Sequence, residues 1–214
     1  MYRQSLKQDL LLYGITDRTW LNGASLYSQV ECALKGGVTF LQLREKNMPR
    51  SEILKEALII KELCHKYKVP LIINDDVELA VEADADGVHV GQKDMEAGAA
   101  REKLGPEKIL GVSARTVEQA LTAEKMGADY LGVGAIFGTN TKSDARKIDN
   151  TILSGICSAV NIPVVAIGGI KKENISELSG SGISGVAVIS GIFGKNDIES
   201  AAIELKELAK KIVN

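Results

Sequence analysis

The stretch "EKMGADYLGVGAIFGTNTKSDARK" (124–147) holds three readings in succession. A charged segment of helical character ends at a glycine, a short run rich in Val, Leu and Ile follows, and a loop with two threonines, a lysine and an aspartate closes it. Glycine tolerates the left-handed cap and permits a tight turn out of a helix. A brief, nearly continuous apolar run is the pattern of a strand covered on both faces. The same punctuation returns in "KGGVTF" (35–40), "EADADGVHV" (82–90) and "SGISGVAV" (181–188), each ending a helical pattern and launching a strand.

Outward from that stretch, eight strand-like runs occupy 10–16, 38–44, 69–75, 87–91, 109–114, 130–136, 162–168 and 185–190. Helical patterns lie between them, clearest at 25–37, 51–67, 116–127 and 197–213. In the second of these, Ile53, Ala57, Ile60, Leu63 and Cys64 recur at helix spacing with charged residues between. Thr116 followed by Gln119 has the form of a capping box, and Pro49 before "RSE" marks another helix start. Eight strand–helix units averaging roughly 25 residues predict a closed parallel (β/α)8 TIM barrel. The alternative is a doubly wound open sheet, which needs a reversal of strand order that no break in the sequence suggests. A single domain over 1–214 is expected, with no residues left for a second.

Composition narrows the function classes. At 214 residues, 45% hydrophobic and 25% charged, the chain has the material for a substantial core. A net charge of -2 argues against broad polyanion binding, and aromatics at 4% are not interleaved with a basic patch, so no nucleic-acid partner is expected. The three cysteines, Cys32, Cys64 and Cys157, all fall in helical patterns and form neither a disulfide framework nor a clustered zinc site, which predicts reduced thiols. No apolar run approaches membrane-spanning length and "MYRQSLKQD" is not followed by a signal-length segment, so no membrane association and a cytoplasmic location are expected. The sequence leaves oligomeric state open, a homo-oligomer included.

In a parallel barrel, the loops after the carboxyl ends of the strands form the active-site face. Polar residues gather at that end of nearly every run: Gln42, Arg44, Glu45 and Lys46, then Asn74, Asp75 and Asp76, then Gln92 and Asp94, then Ser113 and Arg115. Thr139, Thr141, Lys142 and Asp144 follow the sixth run, and Ser190 the eighth. Arg44, Lys46 and Lys142 supply cationic donors for phosphoryl oxygens. Asp75 and Asp94, on loops after neighbouring strands, are oxygen ligands suited to a hard cation such as Mg2+, the plainer alternative being helix N-terminal acids. "AIGGI" (166–170) and "VISGI" (188–192) let backbone N–H groups approach a second phosphate, with tight turns as the rival reading. His89 reads as a packing residue in or near the mouth. No Ser-His-acid triad, P-loop or dinucleotide fingerprint stands out.

The motifs "YGITD" (13–17), "LQLREK" (41–46), "LIINDD" (71–76), "GVHVGQKD" (87–94), "GVSARTVEQA" (111–120), "GVGAIFGTNTKSDA" (132–145), "VAIGGI" (165–170) and "GVAVISGI" (185–192) occur in order at strand ends. Through them the chain resembles the thiamine phosphate synthase family, also called thiamine-phosphate pyrophosphorylase, over almost its whole length. The resemblance implies a Mg2+-dependent transferase that joins 4-amino-2-methyl-5-hydroxymethylpyrimidine pyrophosphate to a thiazole phosphate by a dissociative route, releasing pyrophosphate. By motif it places Gln42 on the aminopyrimidine, Arg44, Lys46 and Asn74 on the pyrophosphate, and Asp75 and Asp94 on Mg2+. Ser113, Thr141 and Lys142 would complete the pyrophosphate cage, while Thr139, Gly169, Ile189 and Ser190 would surround the thiazole phosphate or its ring. Arg44, Lys46, Lys142 and Ser113 are the residues it implies for catalysis. Where relatives often read "FPT", this chain reads "FGT", and Gly138 gives up proline's restriction of the backbone. Two rivals remain: a thiazole tautomerase of the same fold, disfavoured by the two aspartates and the "REK" and "TNTK" motifs, and a phosphate-ligand sensor without catalysis.

Overall fold

The computed structural model describes residues 6–138 and 148–213. Thr139, Thr141, Lys142 and Asp144 lie outside them. Eight parallel strands close into a barrel in sequence order, β1 bonding both β2 and β8. They are β1 (Leu12–Ile15), β2 (Phe40–Leu43), β3 (Leu71–Asn74), β4 (Gly87–Val90), β5 (Ile109–Ala114), β6 (Tyr130–Gly134), β7 (Val164–Ile167) and β8 (Gly185–Val188). Each lies inside one of the eight apolar runs, and closure removes the open-sheet alternative.

A short helix α1 (Leu6–Asp9) precedes the barrel, and α2 (Leu26–Lys35), α3 (Arg50–Tyr67), α4 (Val77–Glu82), α5 (Ala97–Leu104), α6 (Val117–Lys125), α7 (Asn150–Ala159) and α8 (Ile198–Ile212) follow strands. Thr116 caps α6 by accepting from the Gln119 N–H at 3.2 Å, while the Gln119 side chain reaches back to the Arg115 N–H at 2.8 Å. Pro49 stands at the start of α3 without a side-chain cap. The unit after β7 departs from the expected pattern. It holds a single 3-10 turn, Ile175–Leu178, because Gly180 and Gly182 with positive φ follow at once and end the helical run.

Side chains alternate between the two faces of each strand. One set, including Leu41, Leu43, Ile73, Val88, Val112, Val133 and Val186, packs against the helices in the larger core. The other set fills the barrel axis with Tyr13, Ile15, Phe40, Ile72, Ile109, Tyr130, Val165 and Ala187, joined from the amino-terminal side by Leu6 and Leu10. Tyr13, Phe40 and Tyr130 meet edge to face, with ring centroids 4.8 to 5.9 Å apart. This plug sets the floor of whatever lies at the carboxyl end.

Candidate active site

The alternation that buries Phe40, Ile72 and Ile109 turns Gln42, Asn74 and Ser113 to the same inner face, further along their strands toward the carboxyl end. His89 on β4 shares that layer, its Cα registered with Asn74. One cavity opens here, and Gln42, Arg44, Ser113, Gly169, Ile189 and Ser190 all line it, together with His89 and Arg115. Residues drawn from five different stretches of the sequence thus share one space.

Arg44 is the buried, braced cation of the cavity. Its side chain is only 10% exposed, its Nη1 donates to Asp17 Oδ2 at 2.9 Å, and its backbone N–H donates to Thr16 Oγ1 at 2.9 Å. The "YGITD" motif of β1 therefore braces Arg44 from the neighbouring strand. Arg44 Nε is buried without a partner among the described residues, a donor kept in reserve. Glu45 turns away from the mouth to accept from Arg18 Nε at 2.8 Å, and Arg18 also reaches Glu56. Burial raises the Glu45 carboxyl above its ordinary range while Arg18 opposes the shift.

Lys46 and Asp75 are half-exposed and lie 3.8 Å apart, Nζ to Oδ2. An ion pair this open contributes little and exchanges readily. Asp75 has a left-handed φ of 64°, and its backbone N–H donates to the His89 carbonyl at 2.8 Å, tying the end of β3 to the end of β4. Such a conformation costs about 1 kcal/mol or more in a residue other than glycine, and it fixes where the carboxylate leaves the backbone. Asp94 accepts from the Gly91 N–H at 2.7 Å and borders a shallow groove between α5 and α6. Asp75 and Asp94 follow the neighbouring strands β3 and β4, and among the described residues no group of three or more His, Cys, Asp or Glu side chains gathers as a metal site.

The opposite wall is built from backbone. Gly168 and Gly169 follow β7 with φ of 101° and 68°. A Cβ at Gly169 would stand 1.8 Å from the Phe137 carbonyl oxygen and 2.4 Å from that of Gly138, so the β6 and β7 loops can lie together only if this residue is glycine. After β8 the chain turns helically: Ile192 and Phe193 donate to the Ile189 carbonyl at 3.1 and 2.9 Å. Ser190 sits half-buried in this turn.

Sequence reasoning undervalued the cavity floor. Gln42 Nε2 donates to the Tyr13 hydroxyl, which bonds the Tyr130 hydroxyl at 2.9 Å. Tyr130 bonds His89 Nδ1 at 3.0 Å, and His89 Nε2 bonds Ser113 Oγ at 2.9 Å. Burial raises both tyrosines well above their ordinary pKa, so they are hydroxyl donors and not phenolate bases. Period-two placement of Tyr13, Tyr130 and His89 on inner faces was the available signal.

A parallel barrel whose carboxyl-end cavity carries a braced arginine, a second arginine, a polar floor and a glycine-rich turn has the build of a barrel enzyme for anionic small molecules. The family model for thiamine monophosphate synthase matches residues 12–192. The chain is 51% identical over 197 residues to the thiamine-phosphate synthase of Clostridium tetani, covering 92% of this chain and 94% of that protein. It is 48% identical to that of Clostridium acetobutylicum, covering 95% and 96% respectively. Among solved structures, thiamine phosphate pyrophosphorylase from Pyrococcus furiosus aligns with a TM-score of 0.90 at 40% identity, covering 98% of this chain and 100% of the other. The chain belongs to the thiamine monophosphate synthase family.

Proposed function

We infer that this barrel joins 4-amino-2-methyl-5-hydroxymethylpyrimidine pyrophosphate to 4-methyl-5-(2-phosphoethyl)thiazole, forming thiamine phosphate and releasing pyrophosphate. The observation that carries this reading is a single cavity with two unlike walls, one of charged side chains and one of small-residue turns, in a chain about half identical to thiamine-phosphate synthases. Gln42 would meet the aminopyrimidine, and Arg44, Lys46, Asn74 and Ser113 the pyrophosphate, with Thr141 and Lys142 added by motif. Gly169, Ile189 and Ser190, with Thr139, would receive the thiazole phosphate. Asp75 and Asp94 would hold Mg2+, which when bound supplies a Lewis-acid counter-charge to pyrophosphate oxygens.

The bond between the pyrimidine methylene carbon and its pyrophosphate oxygen breaks with both electrons leaving on oxygen. Arg44 and Lys46 offset that growing negative charge, and Arg44 gains by being oriented beforehand against Asp17. The aminopyrimidine spreads the positive charge left on the methylene, and the thiazole nitrogen donates its electron pair to the same carbon. No protein nucleophile takes part. The apolar residues Ile167 and Ile189 at the cavity wall keep water from the electron-poor carbon. Lys46 exchanges its exposed contact with Asp75 for the pyrophosphate.

Purified protein given both substrates and Mg2+ is expected to form thiamine phosphate and pyrophosphate in equal amounts, followed by mass detection. Chelation should suppress both products and added Mg2+ restore both. Tight binding of either ligand without turnover would favour a sensor, and pyrophosphate release without thiamine phosphate would mean hydrolysis.

A further inference from the structure

The hydrogen bonds across the cavity floor connect residues from five strands, and their geometry sets a direction. Gln42 Nε2 can only donate, so the Tyr13 oxygen accepts from it. Tyr13 is 1% exposed, and its hydroxyl hydrogen has one remaining partner among the described residues, the Tyr130 oxygen at 2.9 Å. Tyr130, fully buried, then donates its own hydrogen to His89 Nδ1. With Nδ1 accepting, His89 carries its proton on Nε2 and donates to Ser113 Oγ. The reverse order, or a doubly protonated His89, would leave the buried Tyr13 hydroxyl hydrogen without an acceptor, a cost the observed direction avoids. Gly111 on β5 makes the junction possible: a Cβ there would stand 2.4 Å from the Tyr130 oxygen and 2.5 Å from His89 Nδ1.

We propose that Gln42, Tyr13, Tyr130, His89 and Ser113 form a one-way hydrogen-bond relay that fixes His89 as the neutral Nε2–H tautomer. The relay presents opposite polarity to a ligand at its two ends. Ser113, already accepting from His89, points its hydroxyl hydrogen into the cavity as a donor, matched to an anionic oxygen. Gln42, anchored through its nitrogen, offers its amide oxygen as an acceptor, matched to an exocyclic amine. Tyr13, Tyr130 and His89 are thus positioning residues for substrate polarity. The identity of the ligand at each end rests on the proposed function; the tautomer does not.

The test exploits composition, since His65 and His89 are the only two histidines. Nitrogen-15 spectra of the full chain, taken above the ordinary histidine titration range, should show His89 with Nε2 protonated and Nδ1 unprotonated, while exposed His65 serves as the internal reference. Tyr130→Phe keeps the ring but cuts the relay; the His89 signals should become a tautomer mixture. In that variant kcat should fall about tenfold, with the KM for the thiazole phosphate unchanged. Adding Tyr13→Phe should cost little more, because both substitutions interrupt one path. A native His89 protonated at Nδ1 overturns the proposal. So do unchanged His89 signals in Tyr130→Phe, or losses from the two substitutions that simply add. The expected tautomer in a protein that forms no thiamine phosphate would uphold the relay while removing the proposed function.

Discussion

Across one cavity, the ends of β2 to β5 and the ends of β7 and β8 bring different chemistry to the same kind of ligand group. From the first side come Gln42, Arg44, His89, Ser113 and Arg115, with Lys46, Asp75 and Asp94 on adjoining loops. From the second, among the described residues, no ionisable side chain lines the cavity; Gly168, Gly169, Ile189 and Ser190 do. A leaving pyrophosphate gathers charge during the reaction, so on the proposed function Arg44, Lys46 and a metal held by Asp75 and Asp94 would stand where charge grows. A phosphate that only anchors its ring needs fixed donors whose strength stays the same throughout. The charged wall would then govern rate, and the backbone wall retention of one substrate.

That contrast can be broken most severely at the acids. Asp75→Asn with Asp94→Asn should lower kcat by about a thousandfold while the thermal midpoint barely moves. Asparagine tolerates the left-handed φ of Asp75 and can still accept from the Gly91 N–H. Unchanged activity across a Mg2+ titration would remove both residues from the metal site.

On the opposite wall, Gly169→Ala should destabilise the fold by roughly 3 kcal/mol, read by denaturant unfolding, because its methyl meets two carbonyl oxygens and its φ is positive. A variant of native stability that binds thiazole phosphate normally would contradict the described loop packing. Arg44→Lys is smaller. It preserves a charge beside Asp17 but loses the planar fork, and kcat/KM for the pyrimidine pyrophosphate should fall about 30-fold. Equal weakening of thiazole phosphate binding would show a general defect instead. Ser190→Ala, smallest, should weaken the thiazole phosphate about fivefold and leave pyrimidine pyrophosphate binding intact, as titration of each ligand would show.

The barrel was legible because each strand is a short apolar run followed by a polar switch, and α2, α3, α6 and α8 carry clear helical periodicity. The β7 unit carried no countable helical periodicity, since its glycines follow after one turn and a repeat cannot be read over so short a span. Strand ends revealed Gln42, Arg44, Ser113 and Ser190 as mouth residues. They did not reveal Asp17, whose importance lies in its contact with Arg44 across two strands. Nor did they reveal that Tyr13 and Tyr130, 117 residues apart, would share a hydrogen bond. Closure of the barrel creates that neighbourhood, and local spacing carries no trace of it.

The division between the walls is tested most directly by titrating each ligand alone into the native protein, once with Mg2+ and once with chelator. The pyrimidine pyrophosphate should bind at least about tenfold more weakly without metal, and the thiazole phosphate should bind equally in both conditions. Equal metal dependence for the two ligands, or dependence confined to the thiazole phosphate, would contradict a charged wall dedicated to pyrophosphate.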